Sequence, residues 1–323
     1  MIEGKRILMT GGAGFIGGAL CARLAANNEI LVYDSLRRDS LTGRGLIDSR
    51  GIRLVEGDVL DLALVSRTVK SFRPNIVIHL AAIAGIDTVM KSPTNTMKTN
   101  ILGTCNVLDA VMQLHEDVER FVDFSTSEVF GTQAYKLRES HNTSLAPVGE
   151  ARWTYSVSKL AGEHLVHAHH REYGLPTVII RPFNVYGPGQ VGEGAIHVFV
   201  MRCLLGEDLQ IHGDGDQIRS WCYIDDLVEG VILSISKQEA VGELFNIGSP
   251  QDTVTINDLA ERVVRISGSP SRIRQVPKTY VDVELRIANI DKAKEILGYS
   301  PCVGLDEGLA KTIDWYRGRV SSD

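Results

Sequence analysis

Through the first half of the chain, short and nearly continuous apolar runs alternate with longer segments whose apolar positions recur every three to four residues. The runs Arg6–Met9, Ile30–Tyr33, Arg53–Val55, Ile76–Leu80, Arg120–Phe124 and Thr177–Ile180 predict strands buried on both faces. Between them Phe15–Ala26, Leu62–Phe72, Thr96–Leu114 and Tyr155–Tyr173 carry the periodicity of amphipathic helices. Strand, helix, strand in this repetition predicts an α/β fold on a parallel, doubly wound sheet. From Pro182 onward the texture changes: Gly187, Pro188, Gly189, Gly192 and Gly194 mark loop, and shorter elements follow out to Trp315. A smaller domain laid across the end of the sheet is expected there. No repeat or linker of biased composition separates the two parts, so the site is expected where they meet.

A length of 323 residues suits two domains or one large α/β unit. With 44% hydrophobic and 23% charged residues, disordered, collagen-like and low-complexity classes are excluded. The net charge of -6 and the lack of any Lys/Arg-rich run argue against a nucleic-acid partner, leaving room only for a local basic pocket for a small anion. Cys21, Cys105, Cys203, Cys222 and Cys302 are widely spaced and include no C-x-x-C pair, so neither a disulfide framework nor a zinc site is indicated and no metal is expected. A reducing, cytoplasmic compartment fits. No stretch is apolar enough to predict a membrane span. The run Ile7–Leu20 behind Lys5-Arg6 imitates a signal peptide but carries a turn motif, so a soluble, unprocessed protein is expected.

That turn is Thr10-Gly11-Gly12-Ala13-Gly14-Phe15-Ile16-Gly17, set between a strand and a helix, and it satisfies G-x-G-x-x-G. Glycine there permits a tight turn, close approach of a pyrophosphate to the main chain, and close packing of helix on strand. The helix N-terminus adds free N–H groups and positive partial charge. Asp34 closes the second strand where a dinucleotide site needs an acceptor for ribose hydroxyls, and its charge favours NAD over NADP; Arg37 and Arg38 work against that preference. Gly57-Asp58-Val59 and His79-Leu80-Ala81-Ala82 end the third and fourth strands, the small residues letting a flat cofactor lie close. His79 is read as a hydrogen-bonded core residue.

Tyr155-Ser156-Val157-Ser158-Lys159 sets a phenol and an ammonium one helical turn apart on one face. Tyrosine, with a reference pKa of about 10, is a poor base at neutral pH. The lysine, with a cationic nicotinamide bound, is expected to stabilise the phenolate. Thr126, Ser127 and Glu128 emerge at the carboxyl edge of the fifth strand, where ligands bind in open α/β sheets. His164, His167, His169 and His170 on the tyrosine helix read as a solvated face.

These residues resemble the extended short-chain dehydrogenase/reductase superfamily, in its NAD-dependent nucleotide-sugar epimerase/dehydratase branch. The resemblance also covers Ser125-Thr-Ser-Glu-Val-Phe-Gly131, Arg181-Pro-Phe-Asn-Val-Tyr-Gly-Pro188 and Leu297-Gly-Tyr-Ser-Pro301, and so spans almost the whole chain. It implies a Rossmann-type sheet domain (1–182 plus about 223–248) and a smaller C-terminal α/β substrate-binding domain (about 183–222 plus 249–323). It implies tightly held NAD, with Gly11, Gly14, Phe15, Ile16, Gly17, Asp34, Ser35, Asp58, Val59, Leu80, Ala81, Ala82, Asn100, Tyr155, Lys159 and Pro182 around it.

The implied chemistry is transient oxidation at sugar C4, with Tyr155 as base, Lys159 tuning it, and Thr126 bonded to the reacting oxygen. The 4-keto sugar is then reduced from the other face, dehydrated, or decarboxylated. Dehydratases of this branch carry an Asp-Glu pair after the threonine; here Ser127 stands in the aspartate's place. Thr126-Ser127-Glu128, Arg152 to Lys159 and Asp282-Val283-Glu284-Leu285-Arg286 look closest to enzymes of UDP-glucuronic acid, its 4-epimerases and decarboxylases. The expectation is a UDP-glucuronic acid 4-epimerase yielding UDP-galacturonic acid. Decarboxylase, UDP-glucose 4-epimerase and 4,6-dehydratase follow as alternatives, and a non-catalytic NAD sensor as the reading outside enzymes. Gly85, Asn184, His197, Gln210, His212, Arg219 and Arg286 are the implied further contacts of the UDP-sugar; Thr279 stands where many epimerases carry a phosphate-binding arginine. A homodimer is expected through helices 96–114 and 153–173, along Val157, Ala161, Leu165 and Ala168.

Overall fold

The computed structural model describes residues 2–47, 49, 51–251, 253–278 and 281–320, so Thr279 lies outside the described residues. The first part of the chain runs β1 (Arg6–Thr10), α1 (Phe15–Leu24), β2 (Glu29–Asp34), α2 (Leu41–Arg44), β3 (Ile52–Glu56), α3 (Leu62–Phe72), β4 (Ile76–His79), α4 (Ile86–Lys91), α5 (Pro93–Met112) and β5 (Arg120–Phe124). It continues through β6 (Gln133–Tyr135), α6 (Thr154–Tyr173), β7 (Thr177–Pro182), β8 (Val185–Tyr186), α7 (Ala195–Leu204), β9 (Leu209–His212), β10 (Ile218–Ser220), β11 (Cys222–Tyr223) and α8 (Ile224–Ser236). The last elements are β12 (Leu244–Ile247), β13 (Thr253–Thr255), α9 (Ile256–Ser267), β14 (Ile273–Val276), β15 (Leu285–Ile287) and α10 (Leu305–Val320).

Seven strands make one parallel sheet in the order β12-β7-β5-β4-β1-β2-β3. All six predicted strands belong to it. The alternation within them explains why they read as unbroken apolar runs: Ile7 and Met9 join a core with Leu20 of α1 and Leu227 of α8, while Leu8 joins another with Val69 of α3 and Val107 of α5. Strand order reverses between β1 and β4, which opens a crevice at their carboxyl ends.

Several boundaries differ from the sequence reading by one to three residues. The strand through Ile76 stops at His79, because the Leu80 amide already turns to donate to the Thr10 carbonyl at 2.8 Å. The helix expected from Thr96 starts at Pro93, whose fixed φ suits a first turn. The helix expected to reach Ala26 stops at Leu24.

Beyond β7 a four-stranded sheet is ordered β13-β10-β15-β6, and β9 pairs with β14 and β8 with β11 in two-stranded ribbons. Gln210 and His212 lie on β9. β6 comes from the first half, so the smaller sheet is completed across the molecule. The chain from Pro182 does not end in short elements: α10 runs 16 residues, past Trp315, and packs on α7 and α9. α8 returns to α1 and β7, and β12 closes the large sheet beside β7. No helix among the described residues is long and apolar enough to cross a membrane.

Candidate active site

The turn after β1 lies hard against the turn after β4. Gly11 has φ +70°, and a Cβ on it would sit 2.5 Å from the Ala81 backbone nitrogen; at Gly17 a Cβ would fall 2.5 Å from the Gly12 carbonyl oxygen. Only glycine fits either place. Gly14 caps α1 without any side-chain acceptor, which leaves the first N–H groups of that helix open to an anion. At the end of β2, Asp34 Oδ2 accepts from the Ala13 amide at 2.9 Å and Oδ1 from the Leu36 amide at 2.8 Å. Burial pushes its carboxyl above the usual range while these amide bonds oppose the shift. Each oxygen keeps a lone pair for a further donor such as a ribose hydroxyl.

The crevice is a cleft of about 550 Å³. Gly11, Gly14, Phe15, Ile16 and Gly17 line it from the first turn, Asp34 and Ser35 from the second strand, and Asp58 and Val59 from the third. Leu80, Ala81 and Ala82 line it from the fourth. Glycine at a positive φ, an acceptor pair and open helix amides fit a dinucleotide diphosphate and ribose, so these residues could hold NAD. Sequence reasoning missed Gln190 and Val191, which reach the same cleft from the loop after β8. Asn100 lies outside the lining: it accepts from the Ile83 amide at 2.8 Å and donates to Ser158 Oγ at 2.9 Å, holding the loop after β4. Pro182, at the end of β7 opposite Ile247, is likewise not in the lining.

Arg37 meets Asp58 at 3.4 Å, and Arg38 donates to Thr88 at 3.0 Å and pairs with Glu193 at 3.2 Å. Glu193 also accepts from the Asp87 amide at 2.9 Å, fastening the loop after β8 onto the start of α4. Gly85 lies beneath this clasp, where a Cβ would sit 2.7 Å from a Glu193 carboxylate oxygen.

Tyr155 and Lys159 share one face of α6, Lys159 fully buried. Thr126 and Ser127 are buried at the end of β5, and Thr126 Oγ1 accepts from the Glu128 amide at 3.2 Å, starting a short 3-10 turn. Tyr155 is pushed well above its ordinary value. Burial does most of this, the Glu128 and Asp123 carboxylates add to it, and the Thr126 hydroxyl and Arg286 oppose it. Burial lowers Lys159 while Asp123 and Glu163 raise it. The lysine's charge is thus answered by acids beneath it.

Asp123, buried near the carboxyl end of β5, is itself raised to about 6, chiefly by burial, with Lys159 pulling the other way. Glu163 accepts from Nε and Nη2 of Arg181, at 2.7 and 2.6 Å, and from the Ser125 hydroxyl. His79 is the satisfied core residue expected of it, bonded to Thr10 and Thr104.

Above the phenol lies a cluster of three guanidiniums and two carboxylates. Glu128 meets Arg152 at 3.2 Å and Arg286 at 3.4 Å; Asp282 meets Arg152 at 3.0 Å and Arg219 at 3.5 Å. Arg219 also donates to the carbonyls of Ile218 and Val283, and Asn184 accepts from Arg286 at 3.2 Å and donates to the Ser220 carbonyl. Burial and the neighbouring Arg286 push Arg219 down to about 10. Burial acts to raise Asp282, but Arg219 and Arg152 more than offset it and hold it below the carboxylate range.

The structure therefore brings Asn184, Arg219 and Arg286 together with Glu128. Arg152 was missed as a site residue. The signal was a cation just before a helix whose first turn holds no acid, an unfavourable place against the helix dipole unless carboxylates are near.

His197 stands apart from this cluster: its Nδ1 lies 3.0 Å from the Gly192 carbonyl and its ring centroid 5.1 Å from that of Tyr316, in a pocket of about 250 Å³ with Trp315 and Arg319 that shares Gln190 and Val191 with the cleft. Gln210 and His212 project from the exposed face of β9, outside the cleft lining.

The model of the NAD dependent epimerase/dehydratase family matches residues 7–248. UDP-N-acetyl-alpha-D-glucosaminuronate decarboxylase of Bacillus cytotoxicus is 32% identical over 97% of this chain and 98% of its own length. dTDP-glucose 4,6-dehydratase of Xanthomonas campestris is 32% identical over 96% of this chain and 92% of its own. Among solved structures, UDP-glucuronic acid 4-epimerase from Bacillus cereus, in complex with UDP-glucuronic acid and NAD, superposes with a TM-score of 0.88 at 31% identity, covering 97% of this chain and 99% of that one. UDP-glucose 4-epimerase of Thermotoga maritima with UDP-glucose gives 0.89 at 32% identity, covering 98% and 99%.

Proposed function

The chain belongs to the NAD-dependent epimerase/dehydratase family, and from that premise we propose that it is a UDP-glucuronic acid 4-epimerase. NAD, when bound, supplies the hydride acceptor and donor at sugar C4. Tyr155 Oη takes the proton of the C4 hydroxyl and returns it after the ring has turned over, while Thr126 Oγ1 holds the reacting oxygen. Lys159 places a positive charge under the phenol; because the protein itself holds Tyr155 protonated, ionisation waits for added positive charge in the cleft. Residues 1–182 and about 223–248 would hold the cofactor, and about 183–222 with 249–323 the nucleotide sugar.

The observation that carries the uronate reading is the charge of the cluster beside the phenol. Three guanidiniums against two carboxylates leave one positive charge in surplus, and Arg152 Nε and Arg286 Nε are buried without a hydrogen-bond partner. A buried surplus cation is costly until an anion answers it. The same cluster favours epimerisation over decarboxylation. A carboxylate ion-paired to arginine keeps its charge, whereas loss of carbon dioxide must draw that charge into the C4 carbonyl. Ser127 offers no acid for a leaving hydroxyl, which weighs against a dehydratase.

Decarboxylation stands as the second reading, favoured by the decarboxylase of Bacillus cytotoxicus among the relatives. Incubation with UDP-glucuronic acid, followed by proton NMR, separates the two: a galacturonate signal without pentose is expected, a pentose product makes the protein a decarboxylase, and no reaction with either outcome overturns the uronate assignment. Tyr155→Phe should lower turnover by three orders of magnitude or more with NAD binding intact; undiminished turnover would remove Tyr155 as the base.

A homodimer through α5 and α6 is part of the proposal. Leu102 and Val157 are 50% and 37% exposed on these neighbouring helices, and Ala161, Leu165 and Ala168 continue the stripe half-buried. Light scattering at micromolar concentration should give twice the chain mass.

A further inference from the structure

Arg152 sits three residues before Tyr155, in the 3-10 turn Ala151–Trp153 that opens α6. The place is doubly unfavourable for a cation: it is 5% exposed, and it adjoins the positive end of a helix with no acid in its first turn. Its partners explain why it is tolerated. Nη1 lies 3.2 Å from Glu128 Oε2, Nη2 lies 3.0 Å from Asp282 Oδ1, and the guanidinium stacks 4.8 Å from the Trp153 ring centroid. Glu128 is held from both sides, since Arg286 lies 3.4 Å from its other oxygen.

We propose that Arg152 is a positioning residue for the Tyr155 phenol, acting through Glu128: with Arg286 on the second oxygen, it fixes where that carboxylate's charge sits relative to Tyr155 Oη, and through Asp282 it ties this arrangement to the C-terminal half of the chain.

The charges facing the phenol are few. Glu128 comes from the turn after β5, Asp123 from β5 itself, Arg286 from β15, and Lys159 lies one turn along α6; Arg219 stands behind Asp282. Glu128 and Asp123 oppose ionisation of Tyr155, and Arg286 favours it. Asp123 is buried in the sheet. Glu128 is the adjustable one, on a short turn and partly exposed, and Arg152 is half of what restrains and neutralises it. Without Arg152 one carboxylate oxygen is freed beside the phenol with its charge less balanced, so Oη accepts a proton usefully only at higher pH. Asp282 would also lose a partner, leaving Arg219 its remaining counter-charge among the described residues.

The inference rests on Tyr155 being the base of the proposed reaction, so two readouts are needed. In the first, the pH profile of kcat with UDP-glucuronic acid is compared for wild type, Arg152→Gln, Arg152→Lys and the double variant Glu128→Gln/Arg152→Gln. Arg152→Gln should move the acidic limb of kcat up by about one pH unit, a tenfold loss at fixed pH on that limb, while KM rises alike at every pH because the cluster loses its surplus positive charge. Arg152→Lys should restore most of the profile. The double variant should bring the limb back to the wild-type position or below.

The second readout needs no turnover: ultraviolet difference titration of the phenolate in the NAD-loaded protein, with Tyr155→Phe as blank, should show the same ordering of the variants. A limb and a titration unchanged in Arg152→Gln, or a shift that persists in the double variant, would overturn the proposal. If Arg152→Gln does not fold, Arg152→Lys decides: a folded lysine variant shifted by a full unit or more would show that charge at this position is not what matters. Failure of UDP-glucuronic acid to react sinks the uronate epimerase and leaves the titration to judge Arg152.

Discussion

His79 and Thr10 face each other across β4 and β1 with Nδ1 2.6 Å from Oγ1, and the hydrogen bonds on the other side of the ring fix its tautomer. Thr104 Oγ1 spends its proton on the Asn100 carbonyl at 2.7 Å, so it must accept from His79 Nε2 at 3.0 Å. Nδ1 is then the acceptor for the Thr10 hydroxyl, and the ring is neutral. Burial, with the Lys159 charge adding to it, pushes His79 down to about 3. A base with a depressed folded pKa contributes stability that is complete above its unfolded value of about 6.5 and is lost as pH falls from there towards 3. The expected loss across that window is at most about 4–5 kcal/mol. Thermal melts between pH 7 and 4 should show the wild type falling steeply and His79→Gln, though less stable at pH 7, falling much less. Equal slopes would place the acid sensitivity elsewhere.

Gly11→Ala and Gly45→Ala separate backbone conformation from close approach. Both glycines have φ near +70°, but a Cβ at Gly45 meets nothing within 4 Å, while at Gly11 it meets the Ala81 backbone. Gly45→Ala should cost about 1 kcal/mol, the left-handed penalty alone. Gly11→Ala should cost that and a further ~1–3 kcal/mol of overlap, because β1 and β4 must part. It should also weaken NAD binding at least tenfold, measured by fluorescence titration, whereas Gly45→Ala should not. Equal NAD affinities in the two variants would refute the close-approach argument.

The Glu163–Arg181 pair is buried and bidentate, and Phe130 stacks 4.8 Å from the guanidinium. Arg181→Met strands a buried carboxylate and should destabilise the fold by about 3–5 kcal/mol. Adding Glu163→Gln should recover a large part of this, since a neutral amide can still accept from Ser125. Chemical denaturation of the single and double variants gives the coupling energy; additive losses would mean that the two side chains act independently.

What the sequence made legible was whatever is local. The six predicted strands stand out because alternate residues such as Met9 and Leu8 are buried on opposite faces, and the cofactor cradle stands out because its glycines and Asp34 lie within one strand–turn–helix–strand unit. β12 was hidden by Asn246 in its middle, a polar residue whose Nδ2 donates to the Leu137 carbonyl and whose backbone amide donates to Glu139, both more than a hundred positions away. β10 and β15 were hidden for the same reason, each carrying a buried arginine, Arg219 or Arg286, whose carboxylate partners come from other elements. The rise at Tyr155 was not legible because burial and the Glu128 carboxylate are properties of the fold, whereas a sequence displays only the spacing to Lys159. The place of His197 was not legible either, since only the packing of α7 against α10 reveals Tyr316 as its neighbour.

Asp34 tests how far that local legibility extends into cofactor choice. Its carboxylate is anchored by the Ala13 and Leu36 amides at the point where an adenosine ribose would present its hydroxyls, and a 2′-phosphate there would meet a fixed negative charge. The arginines that could answer such a phosphate are unequally free. Arg38 is engaged by Glu193, while Arg37 makes one loose 3.4 Å contact with Asp58 and is 58% exposed. Asp34→Asn keeps an acceptor for one amide and removes the charge. It should weaken NAD binding about tenfold, the worth of one charge-assisted hydrogen bond, and strengthen NADP binding. Adding Arg37→Ala should cancel the gain for NADP and leave NAD unchanged. Dissociation constants for both cofactors in the three proteins decide the matter, and an unaltered NAD-to-NADP ratio in Asp34→Asn would mean that the discrimination lies elsewhere in the cleft.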